Sequence, residues 1–283
     1  MASDHTDDVL ETLLLPFISG RLPWPVDGAL FLRARAGAPL RQQLFPGLVC
    51  AQSFKPDADA LQRAGFLLKE HDDQKYAVVL LLPPRQRDEA RALMARAIAA
   101  TQPGGRVIAC VSNDEGARSS EADLTRLVGV VESMSKHKCR VFWSAPLQIS
   151  SAPALAEWRE LDAVRPVANN RFMSRPGIFA WDRIDPASAL LAAHLPANLS
   201  GRVADLGAGF GYLSTELLTR CAGITALDIY EAEERALNLA RQNLAAFESR
   251  AALSYHWHDV TTGLLRSYDV IVSNPPFHTQ NRA

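Results

Sequence analysis

Asp205-Leu-Gly-Ala-Gly-Phe-Gly211 is the stretch of this sequence that decides its fold. A short apolar run, residues 203–206, leads into it, and residues 212–220 have the composition of a helix. Glycine is needed where a chain turns sharply and lies against a ligand, because a Cβ would occupy that space. The stretch therefore predicts a buried strand, a glycine turn and a helix, which is the opening unit of a parallel α/β sheet.

The same alternation of strands and helices continues to the end of the chain. Residues 224–227 predict a second strand that ends on Asp228, and a long helix follows it. Residues 253–257 and 268–273 predict a third and a fourth strand, the last running into Asn274-Pro-Pro-Phe277. This pattern predicts a doubly wound α/β fold in the C-terminal part.

An internal repeat relates the two halves of the chain. Residues 76–85 align without gaps onto residues 268–277, and both are buried-strand patterns that close on Pro-Pro. The first copy has Leu82 where the second has Asn274, and no acidic glycine-rich turn precedes it. We therefore predict two tandem Rossmann-like folds, of which the N-terminal one is degenerate and has lost its chemistry.

The glycine turn and the acidic residues near it form the first candidate site. An acidic group at the end of the second strand can reach ribose hydroxyls, so the pattern predicts an adenosine-bearing cofactor. The acid two positions before the first glycine, together with the absence of GxGxxG spacing, favours S-adenosylmethionine over a nicotinamide cofactor. The predicted cofactor ligands, with Asp259 placed at the adenine amino group, are Asp205, Gly207, Gly209, Gly211, Asp228 and Asp259.

The second candidate site is catalytic and consists of Asn274, Pro275, Pro276 and Phe277, at the carboxyl end of the fourth strand. An exocyclic amine conjugated to a base or a carbonyl is a poor nucleophile. The Asn274 side-chain oxygen and the Pro275 carbonyl can accept hydrogen bonds from it and stabilise the charge that develops on nitrogen. Phe277 offers a ring on which a flat target can stack. The tetrapeptide thus predicts methylation of such an amine.

The overall composition sets limits on the class of protein. The 283 residues are enough for two domains, 48% of them are hydrophobic, and no apolar run is long enough to span a bilayer. No secretory signal opens the chain, so we expect a cytoplasmic protein, and a monomer. The four cysteines are scattered without a CxxC pair, which predicts reduced thiols and no metal site.

The charge distribution bears on a nucleic-acid partner. A formal net charge of −1 argues against coating RNA through bulk charge. Two local basic concentrations remain candidates for RNA-backbone contacts, and they comprise Arg85, Arg87 and Arg91 on a predicted helix, and Lys136 and Lys138. A solvated helix face and a strand edge explain them equally well.

Taken together these motifs resemble the bacterial ribosomal RNA guanine-N2 methyltransferases of the RsmC and RlmG type. The resemblance is clearest in Ser174-Arg-Pro-Gly-Ile-Phe179, in the glycine turn, and in residues 274–278, which are similar to the family's NPPFH. It implies S-adenosylmethionine as cofactor, a guanine of ribosomal RNA as target, and a degenerate N-terminal domain that helps folding and RNA docking. Residues 176–179 resemble the small-subunit (16S) enzyme.

Residues 165–175 show no periodicity and are expected to be irregular, so we place the junction between the two domains there. Residues 1–165 form the degenerate methyltransferase-like domain, and residues 166–200 a linker and lead-in helix that starts at the N-cap Asp185. Residues 201–283 form the first half of the S-adenosylmethionine-dependent domain. Because the sequence ends soon after Phe277, we expect a truncated chain with an incomplete C-terminal fold.

Other functions remain open at the level of sequence. A large-subunit (23S) guanine-N2 methyltransferase fits the same motifs, and an inactive RNA-binding or assembly protein fits a truncated chain. Methylation of a protein glutamine or of DNA adenine is disfavoured, because those enzymes prefer tyrosine after Pro-Pro. A nicotinamide oxidoreductase leaves Asn274-Pro-Pro-Phe277 unexplained.

Overall fold

The computed structural model describes residues 7–43, 45–69, 74–148 and 153–275. These residues form two compact units. The N-terminal unit comprises residues up to Gln52 and Asp57–Ala163, and the C-terminal unit comprises Ser53–Pro56 and residues from Val164 onwards. Within the described ranges, no helix has both the length and the apolar character that crossing a bilayer requires.

The N-terminal unit is built on a seven-stranded sheet in the order β3-β2-β1-β4-β5-β7-β6. The first five strands are parallel, while β7 runs antiparallel to β5 and β6 antiparallel to β7. The strands are β1 (Ala29–Leu32), β2 (Leu48–Ala51), β3 (Leu67–Leu68), β4 (Tyr76–Leu81), β5 (Thr101–Ser112), β6 (Val131–Lys136) and β7 (Cys139–Ser144). The helices are α1 (Asp8–Ile18), α2 (Ala38–Gln42), α3 (Lys55–Arg63), α4 (Arg87–Ala100), α5 (Ala117–Val128) and α6 (Pro153–Arg159).

Strand β4 shows why this half of the sequence is so apolar. Val79 and Leu81 belong to a core cluster that includes residues of α4 and α5, whereas Val78 and Leu80 belong to a second cluster with α1. A strand that is covered on both faces needs apolar residues at every position, so the alternation typical of a half-exposed strand is lost. The continuous apolar run of residues 77–82 follows from this central position.

The C-terminal unit contains a four-stranded parallel sheet in the order β12-β11-β10-β13. Its strands are β10 (Ser200–Leu206), β11 (Gly223–Glu231), β12 (Ala252–Trp257) and β13 (Val270–Ser273), and they follow a two-stranded hairpin of β8 (Arg165–Val167) and β9 (Phe172–Ser174). The helices are α7 (Pro186–Ala193), α8 (Tyr212–Arg220) and α9 (Glu234–Leu244). Leu213 and Leu217 of α8 and Leu237 of α9 pack with Val203 and Ile229 of the sheet to form its core.

The two sheets share one strand order, which confirms the predicted tandem Rossmann-like architecture. In the N-terminal unit β4 pairs with β1, and in the C-terminal unit β13 pairs with β10. In both units the first strand lies between the second and the fourth. The two Pro-Pro segments that align in sequence therefore follow strands at equivalent places.

Two local predictions were wrong. Strand β11 continues through Asp228 to Glu231, so Asp228 does not end it. The segment expected to be irregular, residues 165–175, contains the β8–β9 hairpin, whose turn Ala168-Asn-Asn170 is left-handed with φ of 49°, 56° and 64°. Strands of three residues are too short to show periodicity, and asparagine tolerates positive φ better than most residues.

Candidate active site

The glycine turn between β10 and α8 is held against the end of β11. The backbone N–H groups of Gly207 and Ala208 both donate to the Tyr230 carbonyl, over 2.9 and 3.0 Å. Gly207, Gly209 and Gly211 all have positive φ, of 71°, 57° and 91°. A Cβ at Gly211 would meet the α9 backbone at 3.2 Å, so close helix packing requires this glycine, whereas the space beside Gly207 and Gly209 is open.

Asp205 comes two residues before Gly207, and only one of its carboxylate oxygens has a hydrogen-bond partner among the described residues. Its Oδ2 accepts a hydrogen bond of 2.7 Å from Ser214 Oγ, while its Oδ1 is buried and has no hydrogen-bond partner among the described residues. Burial raises the pKa of this carboxyl from 3.8 to about 6. A buried carboxylate oxygen that lacks a donor fits a site that receives a cationic or N–H group from a ligand.

Asp228 lies inside the sheet, three residues before the end of β11. Asp228 pairs with Ala204 inside the sheet and is fully buried. Its two oxygens bond His256 Nε2 at 2.8 Å and Arg202 at 3.0 Å. Burial opposes its ionisation, but the hydrogen bonds from His256 and Arg202 outweigh burial and lower its pKa. Asp228 is thus occupied by structural partners at some distance along the strand from the turn.

Glu231 is the acidic residue that the structure brings to the end of β11. Its Oε2 accepts from Gly209 N and its Oε1 from Glu233 N, both over 2.8 Å. Burial raises its pKa, partly offset by these backbone N–H donors. In the sequence Glu231 comes just before Glu233 and Glu234, and acidic residues in this position are typical of the start of a helix, so the local pattern does not single it out.

Asp259 lies at the same edge of the sheet. The His258 N–H donates to the Glu231 carbonyl over 3.0 Å, which brings the end of β12 beside the end of β11. The Asp259 carboxylate caps the 3₁₀ turn Val260–Thr262 and accepts from Thr261 N and Oγ1. This placement agrees with a carboxylate near an adenosine, but its contact with adenine stays a prediction.

Asn274 comes directly after β13 and is fixed by the first turn of α7. Its Nδ2 donates to Asp185 Oδ2 over 3.0 Å and to Ser188 Oγ over 2.8 Å. Asp185 also caps α7 by accepting from Ser188 N, as its N-cap position predicts. The contact between Asn274 and Asp185 joins residues 89 positions apart and was not predicted.

An open cleft brings the two candidate sites together. Asn274 lies on its wall with Gly207 and Gly209. The remaining lining residues are Phe179, Ala180, Asp185, Ser188, Ala208, Phe210, Tyr212 and Leu213. Pro275 is described and exposed, whereas Pro276 and Phe277 lie outside the described residues. The structure therefore places the start of the Asn-Pro-Pro-Phe segment beside the glycine turn.

The equivalent edge of the N-terminal unit is closed by an ion pair. Arg33 follows β1 where Gly207 follows β10, and its guanidinium bonds Glu89, which is buried, at 3.1 Å. The Gln52 amide donates to the Ala34 carbonyl in the same turn. An arginine paired with a buried glutamate thus stands here where the C-terminal unit has the first glycine of its turn.

The predicted RNA-contacting cations are mostly engaged in ion pairs. Arg85 bonds Glu115, and Arg87 and Arg91 share Asp123. Lys136 bonds Glu11 at 2.6 Å. Lys138 lies in the β6–β7 turn with φ of 55° and is exposed. These arrangements favour a solvated face over a prepared phosphate site, and an RNA contact stays a prediction.

Comparison with known proteins agrees with this geometry. Residues 169–283 match the methyltransferase small domain family. Ribosomal RNA small subunit methyltransferase C of Psychromonas ingrahamii is 25% identical over 213 residues, and that of Vibrio vulnificus is 28% identical over 210 residues. Each alignment covers 73% of this chain, and the chain spans 59% and 60% of the lengths of these relatives.

A solved structure extends the likeness to the whole fold. The T. thermophilus 16S rRNA N2 methyltransferase RsmC, determined in complex with AdoMet and guanosine, superimposes with a TM-score of 0.76. The match covers 98% of this chain and 76% of that chain at 19% sequence identity, which establishes a shared fold.

The fold and the cleft define the class first. Two Rossmann-like sheets share one strand order, and in the second a glycine turn and Asn274 line one cleft, so the described residues have a tandem methyltransferase-like fold. Within that class the chain is similar to the ribosomal RNA small subunit methyltransferase C proteins, which confirms the resemblance found in the sequence.

Proposed function

We propose that this protein uses S-adenosylmethionine to methylate the exocyclic amine of a guanine in ribosomal RNA, with 16S rRNA as the favoured substrate. The observation that carries the proposal is the position of Asn274 in the same cleft as Gly207 and Gly209. A site that holds an adenosine-bearing cofactor and a site that holds an amine must adjoin for methyl transfer to occur.

The residues present fit the cofactor. The unpartnered Asp205 Oδ1 can accept from the ligand's ammonium group, and the open space beside Gly207 and Gly209 admits a ligand against the backbone. In this proposal Glu231, at the end of β11, accepts hydrogen bonds from the ribose hydroxyls, and Asp259, after β12, accepts one from the adenine amino group. When bound, S-adenosylmethionine supplies an electrophilic methyl group.

In this proposal hydrogen-bond acceptors, and not a strong base, activate the guanine amine. The Asn274 side-chain oxygen and the Pro275 carbonyl can each accept a hydrogen bond from the guanine N–H₂, which orients the nitrogen lone pair. Both acceptors become more effective as positive charge develops on that nitrogen, so they stabilise the transition state more than the ground state. The excess proton can pass to solvent once the methyl group has been transferred.

The ring of Phe179 offers a surface on which a flat substrate can stack. The Phe179 side chain lines the cleft and is 65% exposed, which is unusual for phenylalanine in a folded protein. A guanine enters such a site only after it leaves its own stack, so an unpaired guanine should react better than a paired one. The names of the relatives favour 16S rRNA as the source of that guanine.

We also propose that the N-terminal half, residues 1–165, contributes to RNA docking. Arg85 and Arg87 are each 62% exposed, and their surface ion pairs are weak enough to exchange for phosphate contacts. Arg91 is a poorer candidate, because it lies between Asp123 and the Trp158 ring. In this proposal residues 166–200 lead into a catalytic domain that begins at residue 201. Action on ribosomal RNA implies a cytoplasmic location.

Methyl transfer from tritiated S-adenosylmethionine tests the proposal. The purified protein is incubated with 16S rRNA, 30S subunits and 23S rRNA, and the digested nucleosides are analysed for N2-methylguanosine. We expect this product from 16S rRNA or 30S subunits. Product from 23S rRNA alone would assign the large-subunit activity instead, and no transfer together with no cofactor binding in calorimetry would contradict the proposal.

Asn274→Ala is the matched test of the catalytic role. It should lower kcat by roughly 10²–10³-fold and leave cofactor affinity unchanged, because it removes an acceptor that matters in the transition state. Asn238→Ala, at an exposed position of α9, is the control and should change neither quantity. An equal loss of cofactor affinity and kcat in Asn274→Ala would indicate a structural role.

A further inference from the structure

The amide of Asn274 has a defined orientation. An asparagine side chain presents an acceptor oxygen on one side and a donor N–H₂ on the other, and the two can exchange places by rotation. Here the Nδ2 side faces the Asp185 carboxylate and the Ser188 hydroxyl, at 3.0 and 2.8 Å. An ionised carboxylate only accepts hydrogen bonds, so Asp185 excludes the rotated state in which the Asn274 oxygen would face it.

We propose that Asp185 is a positioning residue that turns the acceptor oxygen of Asn274 toward the substrate amine. This inference rests on the proposed function and deepens it. Asn274 lines the cleft, and its Nδ2 donates to Asp185 at the start of α7. Because the amide is planar, its Oδ1 then points away from Asp185. In the rotated state the N–H₂ group would face the guanine amine, and two donors would repel each other.

Asp185 has a second role that an experiment must separate from the first. The same oxygen, Oδ2, accepts from Ser188 N and so caps α7. Serine and asparagine are N-caps of about the same quality as aspartate, so substitution by either preserves the helix end. Asparagine keeps an oxygen at the reach of Oδ2. The serine side chain is one bond shorter, so it can cap the helix but not reach Asn274.

The experiment compares Asp185→Asn with Asp185→Ser. The side-chain ¹⁵N–¹H₂ resonance of Asn274, assigned by its loss in Asn274→Ala, reports the amide contact directly. Turnover, KM for RNA, cofactor Kd and the thermal midpoint are measured in parallel. Asp182→Ser, three residues earlier at an exposed aspartate that pairs with Arg183, is the matched control.

Asp185→Asn should keep the Asn274 resonance and a kcat within roughly threefold of the unmodified protein. Asp185→Ser should shift the resonance and lower kcat by roughly 10- to 100-fold, the ratio expected when the Asn274 N–H₂ group loses its acceptor at residue 185 and the amide orientation is no longer selected. Cofactor Kd and the thermal midpoint should stay unchanged in both, because the cap is retained. Asp182→Ser should behave as the unmodified protein.

An unshifted Asn274 resonance in Asp185→Ser would overturn the inference, as would equal losses of kcat in the serine and asparagine variants with a lowered thermal midpoint. If the unmodified protein transfers no methyl group to any RNA, the proposed function fails. The resonance of Asn274 then still decides whether Asp185 fixes its amide.

Discussion

Asp205→Asn tests the electrostatic character of the glycine-turn site. Burial raises the pKa of the Asp205 carboxyl from 3.8 to about 6. Because the folded-state pKa is the higher one, the folded protein holds this proton more tightly, and Asp205 destabilises it increasingly as pH rises from about 4 to about 6. Above pH 6 the full pKa shift lowers the free energy of unfolding by about 3 kcal/mol, at 1.36 kcal/mol per pKa unit. Asparagine never ionises and keeps an oxygen for Ser214.

The stability difference between Asp205→Asn and the unmodified protein should therefore depend on pH. Between pH 4.5 and 7.5 it should shift by about 2 kcal/mol in favour of the variant, because about a third of the penalty is already present at pH 4.5. Urea unfolding followed by pulse-labelling hydrogen exchange of β10 and β11 peptides measures the C-terminal unit alone. Effects of the new N–H₂ group are the same at both pH values and cancel.

A difference that is constant across this pH range to within about 0.5 kcal/mol would refute the reasoning, since it would mean that Asp205 is not a desolvated carboxylate. Saturating S-adenosylmethionine provides a second check. A cationic ligand group that pairs with Oδ1 should offset the cost of ionising Asp205, so the pH dependence should flatten in the unmodified protein when ligand is present.

Substitutions at four further positions test other parts of the site. Glu231→Ala should weaken S-adenosylmethionine binding roughly 10- to 100-fold in calorimetry. Asp228→Asn should leave that affinity unchanged and instead lower the free energy of unfolding by about 1–3 kcal/mol; the reverse pattern would return the ribose role to Asp228. Gly211→Ala should cost about 1–3 kcal/mol in urea unfolding, because its φ is 91° and Ala240 lies 3.2 Å from the new Cβ; an unchanged midpoint would contradict this. Phe179→Ala should raise KM for RNA roughly 10-fold while Phe179→Trp retains it, and equal losses in both would argue against stacking.

Much of the fold was predictable from local sequence. The glycine turn requires positive φ at three positions, which few residues other than glycine tolerate, so the strand-turn-helix unit at residues 203–220 could be predicted. The equivalence of β4 and β13 was predictable because both strands are buried, which gives them the same apolar pattern before Pro-Pro. Burial and backbone sterics restrict which residue types each position accepts, so they can be recognised in the sequence.

The errors concern features that depend on distant partners. Asp228 follows an apolar run and resembles a strand end, but Arg202 and His256 neutralise it inside the sheet. The sequence could not supply this pairing, because those residues lie on neighbouring strands. The β8–β9 hairpin was missed for the opposite reason, since strands of three residues carry too little pattern of their own.

The sequence by itself determined the class of fold, its duplication, and the two groups of residues that we propose bind the cofactor and the amine. Only the tertiary structure decided which acid reaches the glycine turn and how the amide of Asn274 is oriented. Parallel strand register places Glu231 beside Gly209, and the packing of α7 brings Asp185 to Asn274 across 89 positions of chain. Side-chain hydrogen bonds depend on distances of a few tenths of an ångström, and these are fixed by the assembled sheet and helices.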